Sequence, residues 1–232
     1  MPNAEISARI HHRRLVAHAL PMFLFILLLG LGSAIKTPGA ALWRSAPEFW
    51  IFPLQTLLCG ALLFYFRRDY VLAPVRCPLF TVLLALAVFA LWVAPQQFLH
   101  VAPRLIGFNP DLLAGSPGFY WATLTLRFVR LVLVVPLVEE IFWRGFLLRY
   151  LIAERFEAVP FGSFSWLSFA AVSLAFCFSR SRPDWPAALA TGALYNLIAY
   201  RTKSLASCVL AHTLTNLALG LWIMATKQWG FW

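Results

Sequence analysis

Charge is scarce in this chain, and negative charge is scarcer still. Only 12% of the 232 residues are charged, with nine acids against 19 lysines and arginines. A soluble domain usually carries about a quarter charged residues, so the composition excludes an ordinary soluble globule. Cysteine is limited to Cys59, Cys77, Cys177 and Cys208, with no C-x-x-C pair. That excludes a zinc ribbon or a disulfide framework and leaves the four as small core residues. Internal repeats and low-complexity segments are absent, and no inverted repeat or broken helix pair supports a transporter. Met1–Arg14 is too polar to be the apolar part of a signal peptide, and no small-residue cleavage pattern follows. The first apolar run therefore reads as a retained helix.

Apolar residues fill the space that charge leaves, at 61% of the chain and a mean hydropathy of +0.76. Several runs of roughly 17–22 residues are each long enough to cross about 30 Å of hydrocarbon. The expected spans are Leu15–Ile35, Phe49–Phe66, Pro78–Ala94, Phe119–Val135 continuing past Pro136 to Ile152, Trp166–Ser179, Trp185–Tyr200 and Ser204–Thr226. The fold class is all-α: a polytopic membrane bundle of about seven transmembrane helices. Residues 1–14 form an N-terminal segment, 15–118 the first helices and a long loop, 119–226 a core, and 227–232 a tail. Eight of the ten tryptophans, among them Trp43, Trp50, Trp121 and Trp166, lie near ends of apolar runs, as interfacial belts do.

The net charge of +10 does not point to nucleic acid, because the basic residues are scattered between apolar runs rather than gathered on one face. They count instead towards orientation. With the N-terminus inside, the inner loops hold Arg9, Arg13, Arg14, Arg67, Arg68, Arg76, Arg144, Arg149, Arg155, Arg201 and Lys203, which is 11. The outer loops hold Lys36, Arg44, Arg104, Arg180, Arg182 and Lys227, which is 6. That excess favours a cytoplasmic N-terminus.

Against this background, Glu139 and Glu140 stand inside the most apolar part of the fourth span. An acid at the centre of a membrane helix costs about 2.5–3.5 kcal/mol on insertion scales, and such residues usually mark function. Glu140 and Arg144 are spaced i,i+4 with the acid first, the favourable order for a helical ion pair. That pairing leaves Glu139, on an adjacent face, as the carboxylate free to act. The last span supplies a partner face through the row Ser204, Cys208, His212, Asn216 and Gly220, each four residues from the next. Glu139 lies about 15 Å from Arg149 along its helix and His212 about 13 Å from Lys203, so the depths agree. Tyr195 and Asn196 are candidates to line a shared cavity and contact substrate. Arg127 and Arg130 read as snorkelling or paired within the bundle, Asp184 as a helix cap, and His18 as packing.

Glu139-Glu140-Ile-Phe-Trp-Arg144 resembles the E-E-x-x-x-R motif of the CPBP intramembrane proteases, the family of type II CAAX prenyl endopeptidases. His212-Thr-Leu-Thr-Asn216 resembles its H-x-x-x-N motif, and Tyr200-Arg-Thr-Lys-Ser-Leu its link between the last two core helices. The resemblance covers about 119–226. The C-terminal Ala-Thr-Lys-Gln-Trp-Gly-Phe-Trp resembles the subfamily found beside bacterial exosortase sorting systems. What this implies is an endopeptidase in the inner membrane, acting on a membrane-associated or lipidated protein, with a sorting-system partner. Glu139, with a histidine from a middle F-x-x-x-H motif, would activate water. His212 and Asn216 would donate to the oxyanion, each donor worth roughly 3–4 kcal/mol in other enzymes. Arg144 would hold Glu140. No cofactor is implied, and one intramembrane histidine beside the acids argues against a zinc site of three good ligands.

The chain departs from that pattern at the middle motif. Phe176-x-x-x-Arg180 and Phe178-x-x-x-Arg182 are its two possible registers, and both put arginine where the family has histidine. A guanidinium stays protonated and cannot share base duty. The alternative to a protease is therefore a catalytically silent accessory or immunity protein of the same fold.

Overall fold

Hydrocarbon offers the backbone no hydrogen-bond partner, so a chain this apolar must satisfy its amides within helices or a closed barrel. The computed structural model describes residues 2–232, and among them there are helices and turns but no strand. Seven main helices follow in order: α1 Pro2–Ile35, α2 Glu48–Tyr65, α3 Pro78–Phe98, α4 Pro117–Tyr150, α5 Trp166–Phe178, α6 Trp185–Thr202 and α7 Leu205–Thr226. Each corresponds to one expected span.

They are not equivalent. α1, α2, α3, α4 and α7 are long and apolar enough to cross a membrane. α5 has 13 residues, about 20 Å at 1.5 Å per residue, which falls short of a hydrocarbon core of about 30 Å. α6 has 18 residues but includes Thr191, Asn196 and Thr202 on its buried face. The bundle is thus five crossing-length helices with an α5–α6 hairpin packed among them. The hairpin is tight because Gly192 lets α6 approach Ser173 of α5, whose Cα and carbonyl oxygen would lie 3.1 Å from any added Cβ.

Polar contacts sort the connections to two ends. At one end Arg13 meets Asp69 at 3.1 Å, His11 meets Glu157 at 2.9 Å, and Ser204 donates to the carbonyls of Ala73 and Pro74. At the other, Lys36 pairs with Glu48, Arg104 with Asp184, and Lys227 with Asp111. The basic residues assigned to inner and outer loops follow the same division, with two exceptions. Arg144 is fully buried inside α4 and is no loop charge, so the inner count falls from 11 to 10. Arg180 turns inward from the tip of the α5–α6 hairpin.

Burial follows the same logic. Phe23, Leu27, Leu57, Phe64, Leu79 and Leu83 are exposed, as lipid-facing residues are, while Glu139, Glu140 and Arg144 of α4, Thr191 and Asn196 of α6 and His212 and Thr215 of α7 are buried. Trp43, Trp121 and Trp166 are exposed near helix starts, whereas Trp229 is buried and Trp232 packs with it over the end of the bundle. Cys59, Cys177 and Cys208 are buried as expected, but Cys77 is exposed and left-handed at the start of α3. Asp184 makes no side-chain cap; it binds Arg104 at 2.6 Å instead.

Candidate active site

The geometry of α4 follows from one proline. Pro136 has no N–H, so neither Val132 nor Leu131 can receive the helical bond that position would supply. The helix relaxes into a π turn over Arg130–Val134, and two side chains of α7 donate to the carbonyls concerned. Thr213 Oγ1 donates to the Val132 carbonyl at 2.8 Å, and Asn216 Nδ2 to the Leu131 carbonyl at 2.9 Å. A second π turn spans Ile141–Leu147. Glu139 and Glu140 therefore lie on a short α segment, Val135–Glu140, between two π turns, an arrangement that recurs at functional sites.

Glu140 is the centre of a buried network. Its Oε1 accepts from Arg144 Nη1 at 3.0 Å and from His212 Nδ1 at 2.8 Å, and all three side chains are at most 6% exposed. Arg144 also donates from Nε to Asn196 Oδ1 and from Nη2 to the Gly192 carbonyl, each at 3.1 Å. Its guanidinium lies between the rings of Phe176 and Tyr195. The planar fork of arginine suits such multi-point anchoring. Asn196 in turn donates to Ser173 Oγ at 3.1 Å. Three helices are thereby tied to the acid pair.

Glu139 faces the other way, into a cavity of about 420 Å³ that His212, Asn216 and Tyr195 also line. The expectation of a free Glu139 needs correction: its Oε2 is bound by Arg180 Nη2. This also fixes the register of the middle motif. Phe176 is buried beneath both Arg144 and Arg180, while Arg182 is exposed, so Phe176-x-x-x-Arg180 is the aligned form. Because α5 ends at Phe178, its next residues can bend into the cavity, where Ser179, Arg180 and Ser181 all line the wall.

The remaining candidates divide. Tyr195 is wholly buried, donates to Thr215 at 2.8 Å, and lies 5.4 Å from the His212 ring. Asn196 does not reach the cavity, because its carboxamide is engaged by Arg144 and Ser173; it supports the network rather than meeting a substrate. His212 Nε2 makes no hydrogen bond to the described chain, while Nδ1 is held by Glu140. Asn216 keeps one amide N–H beyond that given to Leu131.

Sequence reasoning missed several residues of this layout. Thr213 had a signal in Pro136, which strands carbonyls that some neighbouring donor must satisfy. Arg180 was named at one of the two motif registers, but its pairing with Glu139 was not foreseen. Ser173 had none. Among the described residues no three His, Cys, Asp or Glu side chains assemble as a metal-binding set.

No curated protein and no solved structure matches this chain. A family model does, that of type II CAAX prenyl endopeptidase Rce1-like proteins, over residues 120–218. That stretch contains Glu139, Glu140, Arg144, Tyr195, Asn196, His212 and Asn216 together with Arg180. The bundle of apolar helices is that of a multi-pass membrane protein, and over residues 120–218 the core built around its acid pair is similar to the Rce1-like family.

Proposed function

We propose that this protein is an intramembrane endopeptidase in which Glu139 activates the attacking water. The observation that carries this reading is the shared cavity: Glu139 and His212 line it, while Glu140 and Arg144 stand behind them and fix the histidine. Water held by Glu139 gives a proton to the carboxylate as its oxygen attacks the peptide carbonyl. Negative charge then develops on the carbonyl oxygen. His212, protonated and donating Nδ1–H to Glu140, would present Nε2–H to that oxygen, and the second amide N–H of Asn216 would be its companion donor. Proton return from Glu139 to the leaving amine completes hydrolysis. The substrate is a membrane-associated or lipidated protein, and the C-terminal stretch Ala225–Trp232, which resembles that of a sorting-associated subfamily, favours an exosortase-type system as partner. The basic end of the bundle, with the start of α1, faces the cytoplasm of a bacterial inner membrane.

The test uses proteoliposomes holding a total membrane-protein fraction. Adding the purified protein should generate new peptide N-termini detectable by mass spectrometry, and Glu139→Gln should remove them. The same termini at the same rate with the variant would end this reading.

One observation favours a second reading, a catalytically silent member of the fold: the Arg180 guanidinium occupies the Glu139 carboxylate. Arg180→His would then create hydrolysis where the unaltered chain has none. If unaltered protein and variant turn over at equal rates, the silent reading fails.

A further inference from the structure

The cavity beside Glu139 has more basic than acidic residues in its wall. Four arginines line it: Arg104, Arg127, Arg130 and Arg180. Two have acidic partners, Arg180 with Glu139 and Arg104 with Asp184. Among the described residues, Arg127 and Arg130 form no ion pair. Yet they are 2% and 6% exposed, and Nε and Nη1 of Arg127 are buried without any hydrogen-bond partner. Neither snorkels to a membrane surface.

Their surroundings hold them without neutralising them. Arg127 lies 4.3 Å above the Phe52 ring and 4.9 Å above that of Trp232; Arg130 lies 4.3 Å from Phe52 and donates from Nε to Gln55. Stacking on aromatic faces offsets only part of the desolvation of a buried guanidinium. Both side chains line the cavity, and a guanidinium with donors to spare is the group that takes a carboxylate or phosphate in two-point fashion.

We propose that Arg127 and Arg130 form a subsite for an acidic group of the peptide substrate. This rests on the proteolytic reading and names a substrate feature for it. The same cavity holds Glu139, so a resident anionic lipid would block the reacting centre, whereas an acid on the substrate arrives and leaves with it. Arg130 precedes Glu139 by nine residues on one helix, about 13 Å. An extended peptide covers that span in about four residues at 3.3–3.6 Å each. The substrate therefore carries its acid about four residues from the bond that is cut, with apolar residues between, since Leu131, Val135 and Phe25 line the intervening wall.

Binding tests this without any need for hydrolysis. The unaltered protein in phosphatidylcholine nanodiscs is titrated with dansyl-Leu-Ala-Leu-Ala-Leu-Asp-amide and with its Asn counterpart, following energy transfer from tryptophan, with intact peptide verified by mass spectrometry. The Asp probe should bind at least about tenfold tighter, as loss of charge-assisted hydrogen bonds predicts. Arg127→Gln/Arg130→Gln should bring the ratio near one. Equal binding of the two probes to the unaltered protein overturns the proposal, as does a ratio that survives the double substitution. If phosphatidylglycerol in the nanodisc abolishes the Asp preference and the double variant is indifferent to that lipid, the pair serves a lipid headgroup and the peptide assignment falls. Should the double variant fail to fold, the Asp-to-Asn ratio of the unaltered protein and its loss in Arg127→Gln decide.

Discussion

The Glu140–Arg144 pair gives the sharpest test of how this bundle is held together. Both side chains are fully buried, 3.0 Å apart, and breaking such a pair by removing one partner costs about 3–5 kcal/mol because the other charge stays buried. Arg144→Met leaves Glu140 with only His212, and it also strands the Asn196 and Gly192 acceptors. We expect a loss of about 4 kcal/mol. Glu140→Gln leaves the guanidinium with two neutral acceptors and two aromatic faces, and about 3 kcal/mol should be lost. Independent effects would sum to about 7 kcal/mol. In the double variant neither member of the Glu140–Arg144 pair is left buried alone, so the loss should stay near 4 kcal/mol, a coupling of about 3 kcal/mol. Unfolding by SDS in mixed micelles, followed through the ten tryptophans, measures all three. Additivity within about 0.5 kcal/mol would refute the network, as would an Arg144→Met loss below about 1 kcal/mol.

Two further predictions follow from packing and from charge. Gly192→Ala places a methyl 3.1 Å from backbone atoms of Ser173, so α5 and α6 must separate; about 1–3 kcal/mol should be lost in the same titration, and unchanged stability would contradict the close approach. At the basic end of the bundle, burial raises the Glu157 carboxyl, but its backbone bond and the bond to His11 outweigh this and hold it below its ordinary 4.5. A depressed carboxyl stabilises fully above the unfolded value and loses that contribution as pH falls through the folded one. Hydrogen exchange at the start of α1 should therefore accelerate below pH 4.5, and Glu157→Gln should flatten the response; an identical pH profile in the variant would show that the His11–Glu157 contact is not the cause.

Much of this protein can be read from composition and spacing alone. Apolar runs fix helices because hydrocarbon forbids unpaired amides, and the seven segments appear where the runs do. The i,i+4 spacing of Glu140 and Arg144 guarantees their meeting, since both sit on one helix face whatever surrounds them. The row of small and polar residues on α7 likewise identifies its contact face: His212 reaches Glu140, Asn216 reaches Leu131, and Gly220 lies against Leu131 and Phe128.

Relations between helices were another matter. Periodicity gives a face but not the neighbour that covers it, so the engagement of Glu139 by Arg180 depended on a 13-residue α5 that ends within the bundle and turns its next residues inward. Asn196 shows the same limit, since one step from Tyr195 along α6 it meets Arg144 instead of the cavity. Hydropathy located the acids, the histidine and the span that carries each. Only the packing of α4 between α5, α6 and α7 decided which carboxylate is held behind the histidine and which faces open space, because burial and charge pairing are properties of neighbours brought together from distant parts of the chain.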